Sequence, residues 1–186
     1  MCSHQQNNIR RLFFALWPQD ELRQAIKHLN SKACPEGGKL VAIENVHITL
    51  SFLGPVDPHG YECLITMADT ISAKAFTLVL NKIGHWPKPR VLWLGAEQSP
   101  PDLLQLVKTL NQGLQACNFQ PDPRPFVPHM TLIRKVKKAD PEDVFPPIQW
   151  QVNDFVLVES KTLPEGAQYT VLHRWPLKKS DENKRV

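Results

Sequence analysis

Apolar positions along the chain follow two periods in turn. Residues 11–16, Arg11-Leu12-Phe13-Phe14-Ala15-Leu16, form a short apolar run that reads as a buried strand. Pro18 and Asp20 then open a helix in which Leu22, Ile26 and Leu29 recur at helical spacing. A loop at Glu36-Gly37-Gly38 leads to a strand over 46–53, closed by Gly54-Pro55. Residues 60–73 return to the helical period, 75–83 alternate as a strand through Phe76, Leu78 and Leu80, and 90–95 are a second apolar run rich in β-formers. Pro100-Pro101-Asp102 start a third helix, striped by Leu103, Leu106, Val107, Leu110 and Leu114. Four prolines within 118–128 predict a rigid loop rather than a linker. Strands follow over 130–136, 155–158 and 169–172, the last two joined by a turn at Pro164-Glu165-Gly166.

This order repeats itself. Strand 11–16 and a helix precede Val46-His47-Ile48-Thr49-Leu50, and strand 90–95 and a helix precede Pro128-His129-Met130-Thr131-Leu132. The histidine lies 36 residues after Arg11 in one half and 39 after Arg90 in the other. Such self-similarity predicts two related lobes facing each other. The elements lack the regular rhythm of a parallel sheet, so the expected fold class is α+β with largely antiparallel sheets. We expect one bilobal domain over 1–178 and a polar tail over 179–186.

Composition narrows the function classes. A chain of 186 residues, 42% hydrophobic and 22% charged, can bury a sizeable core and is not a disordered segment. No apolar run approaches the ~20 residues of a membrane helix, and the first residues, Met1 to Arg11, lack the apolar core of a signal peptide. A cytoplasmic monomer with no membrane contact is the expectation. The net charge of +4 suits an acidic substrate but not a histone-like coat for duplex DNA. Cys2, Cys34, Cys63 and Cys117 are scattered without metal or redox spacing, so four reduced thiols are expected, with no disulfide and no zinc site.

The chemistry lies in His47-Ile48-Thr49-Leu50 and His129-Met130-Thr131-Leu132. Strand side chains alternate faces, so His and Thr share one face in each segment while the apolar residues anchor the other. Two such strands about a pseudo-twofold axis would line a cleft with two imidazoles and two hydroxyls. That set suits in-line displacement at phosphorus. One imidazole activates the nucleophile, the other protonates the leaving oxygen, and the hydroxyls hold the non-bridging oxygens. A lone H-x-T is usually structural. Chance predicts roughly 0.3 occurrences in a chain of this composition, yet two are present at the ends of matching units.

The tandem motif resembles the signature of the two-histidine phosphoesterases. The segments Arg11 to Leu16, Glu44-Asn45-Val46-His47-Ile48-Thr49-Leu50-Ser51-Phe52-Leu53-Gly54, Arg90-Val91-Leu92-Trp93-Leu94-Gly95, Arg124-Pro125-Phe126-Val127-Pro128-His129-Met130-Thr131-Leu132 and Tyr169 to Leu177 resemble its RNA 2′,3′-cyclic phosphodiesterase branch, also called 2′-5′ RNA ligases. Met130, where the family usually has Ile or Val, and the polar C-terminal extension depart from its pattern. The resemblance implies a bilobal fold with helices outside and the active site between lobes. It implies hydrolysis of a terminal 2′,3′-cyclic phosphate on RNA to a 2′-phosphomonoester, and ATP-independent 2′-5′ joining of RNA by a related transesterification. It also implies that His47 is the proton donor, that His129 is the proton acceptor and that Thr49 and Thr131 bind phosphate. No residue cluster with metal-ligand spacing is visible, so no metal or cofactor is expected. The expected partner is an RNA or oligonucleotide with a 2′,3′-cyclic phosphate or 2′-5′ linkage.

Other residues rank below these. Arg134 follows the second motif where the family also carries Arg and is attractive as a phosphate ligand, but strict alternation puts it on the face opposite His129 and Thr131. Phe52 is off the His/Thr face by the same rule and reads as core. Trp86 and Trp93 are candidate stacking platforms for RNA, with Trp93 packed in its strand. His28, His59, His85 and His173 read as surface or structural. Competing functions are a phosphodiesterase on a small cyclic nucleotide or 2′-5′ oligonucleotide, a non-catalytic RNA- or nucleotide-binding module, and a metal hydrolase using His47 and His129 as ligands.

Overall fold

The computed structural model describes residues 8–32, 38–139, 145–164 and 166–179. Among the described residues ten strands, three helices and one 3₁₀ turn follow one another: β1 (Arg10–Leu16), α1 (Asp20–Lys32), β2 (Lys39–Leu40), the turn Ile43–Asn45, β3 (Ile48–Val56), α2 (Pro58–Asp69), β4 (Phe76–Leu80), β5 (Lys82–Trp86), β6 (Val91–Gly95), α3 (Pro101–Ala116), β7 (His129–Arg134), β8 (Ile148–Val152), β9 (Asp154–Leu163) and β10 (Gly166–Pro176). The expected strand over 75–83 is two strands, β4 and β5. They join different sheets, because Asn81 hydrogen-bonds back to Gly95 at the point where β5 pairs with β6. Strand β8 was not anticipated, since its sequence Ile-Gln-Trp-Gln-Val is short and half polar.

Each helix starts where its sequence allows it. Asp57 caps α2 by accepting from the Gly60 amide, with Pro58 in the first turn. Pro101 does the same positional work in α3, whose Leu103, Leu106, Val107, Leu110 and Leu114 are all buried. In α1 the buried residues are Leu22, Ile26 and Leu29, as the spacing predicts.

The main sheet runs β10-β9-β1-β3-β7-β6-β5, with β2 on β7, and β4-β8 form a separate two-stranded sheet. All named pairings are antiparallel. The two halves of the large sheet meet at a single paired position, Ile48 with Met130. One face of this sheet is covered by the three helices and β4-β8 in a continuous apolar core that includes Leu12, Phe14, Leu16, Leu50, Leu132 and the α3 stripe. On the opposite face a small separate cluster of Phe13, Ala15, Val156 and Val158 contains no helical residue. That face is the open one.

The cysteine reading needs correction. Cys63 on α2 and Cys117 at the C-cap of α3 form a disulfide, with an S–S distance of 2.01 Å and Cα atoms 5.9 Å apart. Sequence spacing hid this pair, because its proximity comes from α2 packing on α3. Gly113 allows the close approach: a Cβ there would lie 2.5 Å from Met67. Cys2, Cys34, Glu36, Gly37, Glu165 and the tail over 180–186 lie outside the described residues.

Candidate active site

The pinch at Ile48 and Met130 organises the site. Both residues are fully buried on the core side, so their neighbours in sequence face the open side. Because β3 and β7 run antiparallel, His47 falls beside Thr131 and Thr49 beside His129. Four groups from two distant segments are thus gathered about one local twofold axis.

Both imidazoles are fixed in the same way. Nδ1 of His47 lies 2.7 Å from the Asn45 carbonyl oxygen, and Nδ1 of His129 lies 2.9 Å from that of Val127. A carbonyl only accepts, so Nδ1 carries hydrogen and donates in each ring, which leaves Nε2 for chemistry. Nε2 of His47 lies 3.1 Å from the Thr49 hydroxyl.

Their surroundings differ. His47 is packed by Phe13 at 4.8 Å, by Tyr169 edge-on at 5.2 Å and by Trp17 stacked at 5.6 Å. Burial pushes its pKa down to about 4, and the charges of Arg134, His129 and Arg23 add to the fall while the Asn45 carbonyl opposes it. His129 has Trp86 edge-on at 4.5 Å, and burial lowers its pKa as well. Both rings are therefore neutral in the ligand-free protein near neutral pH.

Two β-bulges complete the site, and strict alternation missed both. In β3, Thr49 pairs with Ala15, then Ser51 with Phe14 and Phe52 with Phe13, so Leu50 is the extra residue. In β7, Thr131 pairs with Trp93, then Ile133 with Leu92 and Arg134 with Val91, so Leu132 is extra. Each bulge follows the motif threonine by one residue and re-phases the strand. Leu50 and Ser51, and likewise Leu132 and Ile133, are consecutive buried residues. The residue three beyond each threonine thereby returns to the His/Thr face. That residue is Phe52 in one half and Arg134 in the other. Phe52 is not core: it is 73% exposed and touches the Phe13 ring beside His47. Arg134 stands on the cleft side, near enough for its charge to depress His47.

Trp93 is packed, only 7% exposed, and lies across Gly84, where a Cβ would sit 2.0 Å from the indole. Trp86 leans on Trp93 at 5.2 Å and so is held against His129. A further residue that sequence reading missed is Arg23, 8% exposed. Its Nε donates to the Pro18 carbonyl at 3.1 Å, another guanidinium nitrogen donates to the Ile43 carbonyl, and its plane lies 5.2 Å from the Trp17 ring. It thus joins the start of α1 to the turn that delivers His47 and backs the indole stacked on that ring. The available signal was a charge beside the Leu22/Ile26/Leu29 stripe. His173 is structural, hydrogen-bonded to the Tyr61 hydroxyl at 2.8 Å. Among the described residues no group of three His, Cys, Asp or Glu side chains is placed to hold a metal ion. No helix among them is long and apolar enough to cross a membrane.

Residues 18–162 match the 2′-5′ RNA ligase superfamily. The chain is 39% identical over 173 residues to an RNA 2′,3′-cyclic phosphodiesterase of Escherichia coli (strain K12), covering 90% of this chain and 97% of that one. Its fold is similar to the crystal structure of E. coli LigT in apo form, with a TM-score of 0.83, 36% identity, and 91% and 98% of the two chains covered. It is equally similar to LigT complexed with 3′-AMP, with a TM-score of 0.82, 36% identity, and 91% and 99% covered.

Proposed function

The chain belongs to the 2′-5′ RNA ligase superfamily, and from that premise we propose that it is an RNA 2′,3′-cyclic phosphodiesterase whose acid and base are the two motif histidines. The observation that carries this reading is the junction of the half-sheets. There two imidazoles, each with Nδ1 held by a carbonyl, and two threonine hydroxyls face one open cleft.

The chemistry runs by in-line displacement. Water attacks phosphorus and gives its proton to Nε2 of His129. The bond from phosphorus to O3′ breaks, and the departing oxygen takes a proton from Nε2 of His47, leaving a 2′-phosphomonoester. Thr49 and Thr131 donate to the non-bridging oxygens, and Arg134 neutralises the charge they carry. When a 5′-hydroxyl replaces water, the same displacement forms a 2′-5′ linkage, and opening the cyclic ester makes ATP unnecessary. The relative that binds 3′-AMP supports a nucleotide-sized cleft here.

His47 is neutral in the free protein. It becomes a donor when the substrate phosphate brings a negative charge between it and Arg134, which raises its pKa. A second reading exchanges the roles: the stronger burial of His47 makes His129 the easier ring to protonate.

The test is product analysis on an RNA oligomer ending in a 2′,3′-cyclic phosphate, with and without a chelator. A 2′-phosphate product formed in both conditions is expected. An intact cyclic end would refute the function, and metal-dependent turnover would favour a metal hydrolase. His47→Ala and His129→Ala should each lower turnover by roughly 10²–10⁴-fold. The double variant should lose far less than the product of the two losses, because the rings act as a unit. A nucleoside 2′-phosphate ester of an activated phenol, in which the phenolate takes the place of O3′, needs no proton on its leaving group. It should rescue His47→Ala and not His129→Ala; the opposite result would establish the exchanged roles.

A further inference from the structure

Resting on that reading, we propose that an exposed basic rim of Lys39, Lys88, Arg90 and Lys135, continuous with Arg134, holds backbone phosphates of the RNA strand leading to the cyclic end. The enzyme then selects polynucleotides over short substrates.

The rim is built by strand register. Lys39 on β2 pairs directly with Arg134 on β7, and Arg134 pairs on its other side with Val91. One step further the Val136 amide donates to the Arg90 carbonyl, which sets Lys135 and Arg90 side by side across the same two strands. Arg90 and Lys135 both have left-handed backbones, with φ of 67° and 63°. Lys88 stands on the turn between Trp86 and Arg90, and all of these cations are exposed. Neighbouring strands lie only about 4.8 Å apart, and like charges directly opposite one another are destabilising. The fold nevertheless sets them in adjacent rows.

Some cations elsewhere are matched: Arg10 and Lys161 both face Glu159, Arg174 faces Asp154 and Arg124 faces Asp122. Others, such as Lys27 and Lys108, form no ion pair among the described residues but are scattered rather than set in adjacent rows by strand register. Among the described residues, Lys39, Lys88, Arg90, Arg134 and Lys135 form no ion pair. Asp140, Glu142 and Asp143, which come later in the sequence, lie outside the described residues. The row begins at the cleft, because the bulge in β7 returns Arg134 to the His/Thr face, where burial and then its charge, with those of His129 and Arg23, lower the His47 pKa. It ends on the hairpin turn beyond Trp86, whose ring touches His129. A polyanion with regularly spaced charges and one end in the active site satisfies every member of this row. A mononucleotide reaches only Arg134.

The experiment compares wild type with the triple variant Lys39→Gln, Lys88→Gln, Arg90→Gln, on a dinucleotide and a decanucleotide that both end in a 2′,3′-cyclic phosphate. At low salt the variant should lose roughly tenfold in kcat/KM on the decanucleotide and nothing on the dinucleotide, which also shows that it is folded. The slope of log kcat/KM against log salt should flatten by about 2, at roughly 0.7 for each single-strand phosphate contact removed. Equal losses on the two substrates, or an unchanged slope, would overturn the proposal. Binding of a decanucleotide that already ends in a 2′-phosphate separates this proposal from the parent reading. If wild type opens no cyclic end, the proposed function fails, and the rim still stands or falls on whether the variant flattens the salt slope of binding.

Discussion

His47 and His129 make the same local hydrogen bond and sit in different company. Three aromatic rings enclose one, and a single indole touches the other. Their pKa values lie below 6.5, that of His47 at about 4. A productive free enzyme needs one ring protonated and one neutral. The kcat/KM profile should therefore be a bell whose limbs both fall below the ordinary imidazole value. Exchanging acid and base leaves this bell unchanged, so the leaving-group experiment assigns the roles. Bound phosphate favours the imidazolium, so both limbs of the kcat profile should move to higher pH. Parallel pH–rate curves for kcat and kcat/KM check this; coincident limbs would mean that substrate charge does not reach the rings. Gly84 offers a test that removes no reacting group. Its missing side chain is the space that Trp93 fills, and Trp93 supports Trp86 against His129. Gly84→Val should lower kcat by about tenfold or more, since misplacement by ~1 Å can cost 10²-fold, while His47 keeps its titration. An unaffected kcat would show that the indole pair does not position His129.

At the scale of elements, the paired bulges separate what was legible from what was not. The strands carrying H-x-T, the three helical stripes and the pairing of two similar halves were all visible, because each rests on a local period. The bulges were not. A strand read with a strict period of 2 sends Phe52 and Arg134 to the core side, and nothing short-range announces the extra residue. The signal, read backwards, is the pair of adjacent inward-facing residues after each threonine, Leu50-Ser51 and Leu132-Ile133. That signature is ambiguous in sequence because Ser51 is polar. The re-phasing has a measurable consequence at Arg134. If the bulge brings its guanidinium to the cleft, Arg134→Ala removes a charge that depresses His47, and the His47 pKa in the free protein should rise. The same variant should lower kcat/KM by roughly 10–10²-fold through a lost charge-assisted phosphate contact, and Arg134→Lys should recover the His47 titration better than it recovers activity. Titration of the His47 ring by NMR checks the first claim. An unmoved value would put Arg134 on the far face, where strict alternation had placed it.

At the scale of the whole molecule, the two motif strands touch at one paired position, so their alignment depends on what lies behind the sheet. Helix α2 follows β3, and α3 precedes the proline-rich loop that delivers His129. The two helices pack closely at Gly113 and Met67, and Cys63–Cys117 joins them at the end of α3, where that loop begins. The crosslink closes a loop with a sequence separation of 54. In the chain-entropy model that constrains the unfolded state by about 4 kcal/mol. For a domain of this size each kcal/mol moves the thermal midpoint by roughly 2–4 °C, so reduction should lower the midpoint by up to about 15 °C. The effect acts through the unfolded chain rather than through the cleft. Reduced protein should therefore keep its turnover at temperatures well below the new midpoint, because the Met67–Gly113 contact and the buried α3 stripe still hold the helices together. Cys63→Ser should reproduce the lower midpoint and make it insensitive to reductant. Thermal unfolding of both proteins, with and without reductant, gives the comparison. A wild-type midpoint that reductant leaves unchanged would mean that the Cys63–Cys117 bond does not constrain the unfolded chain.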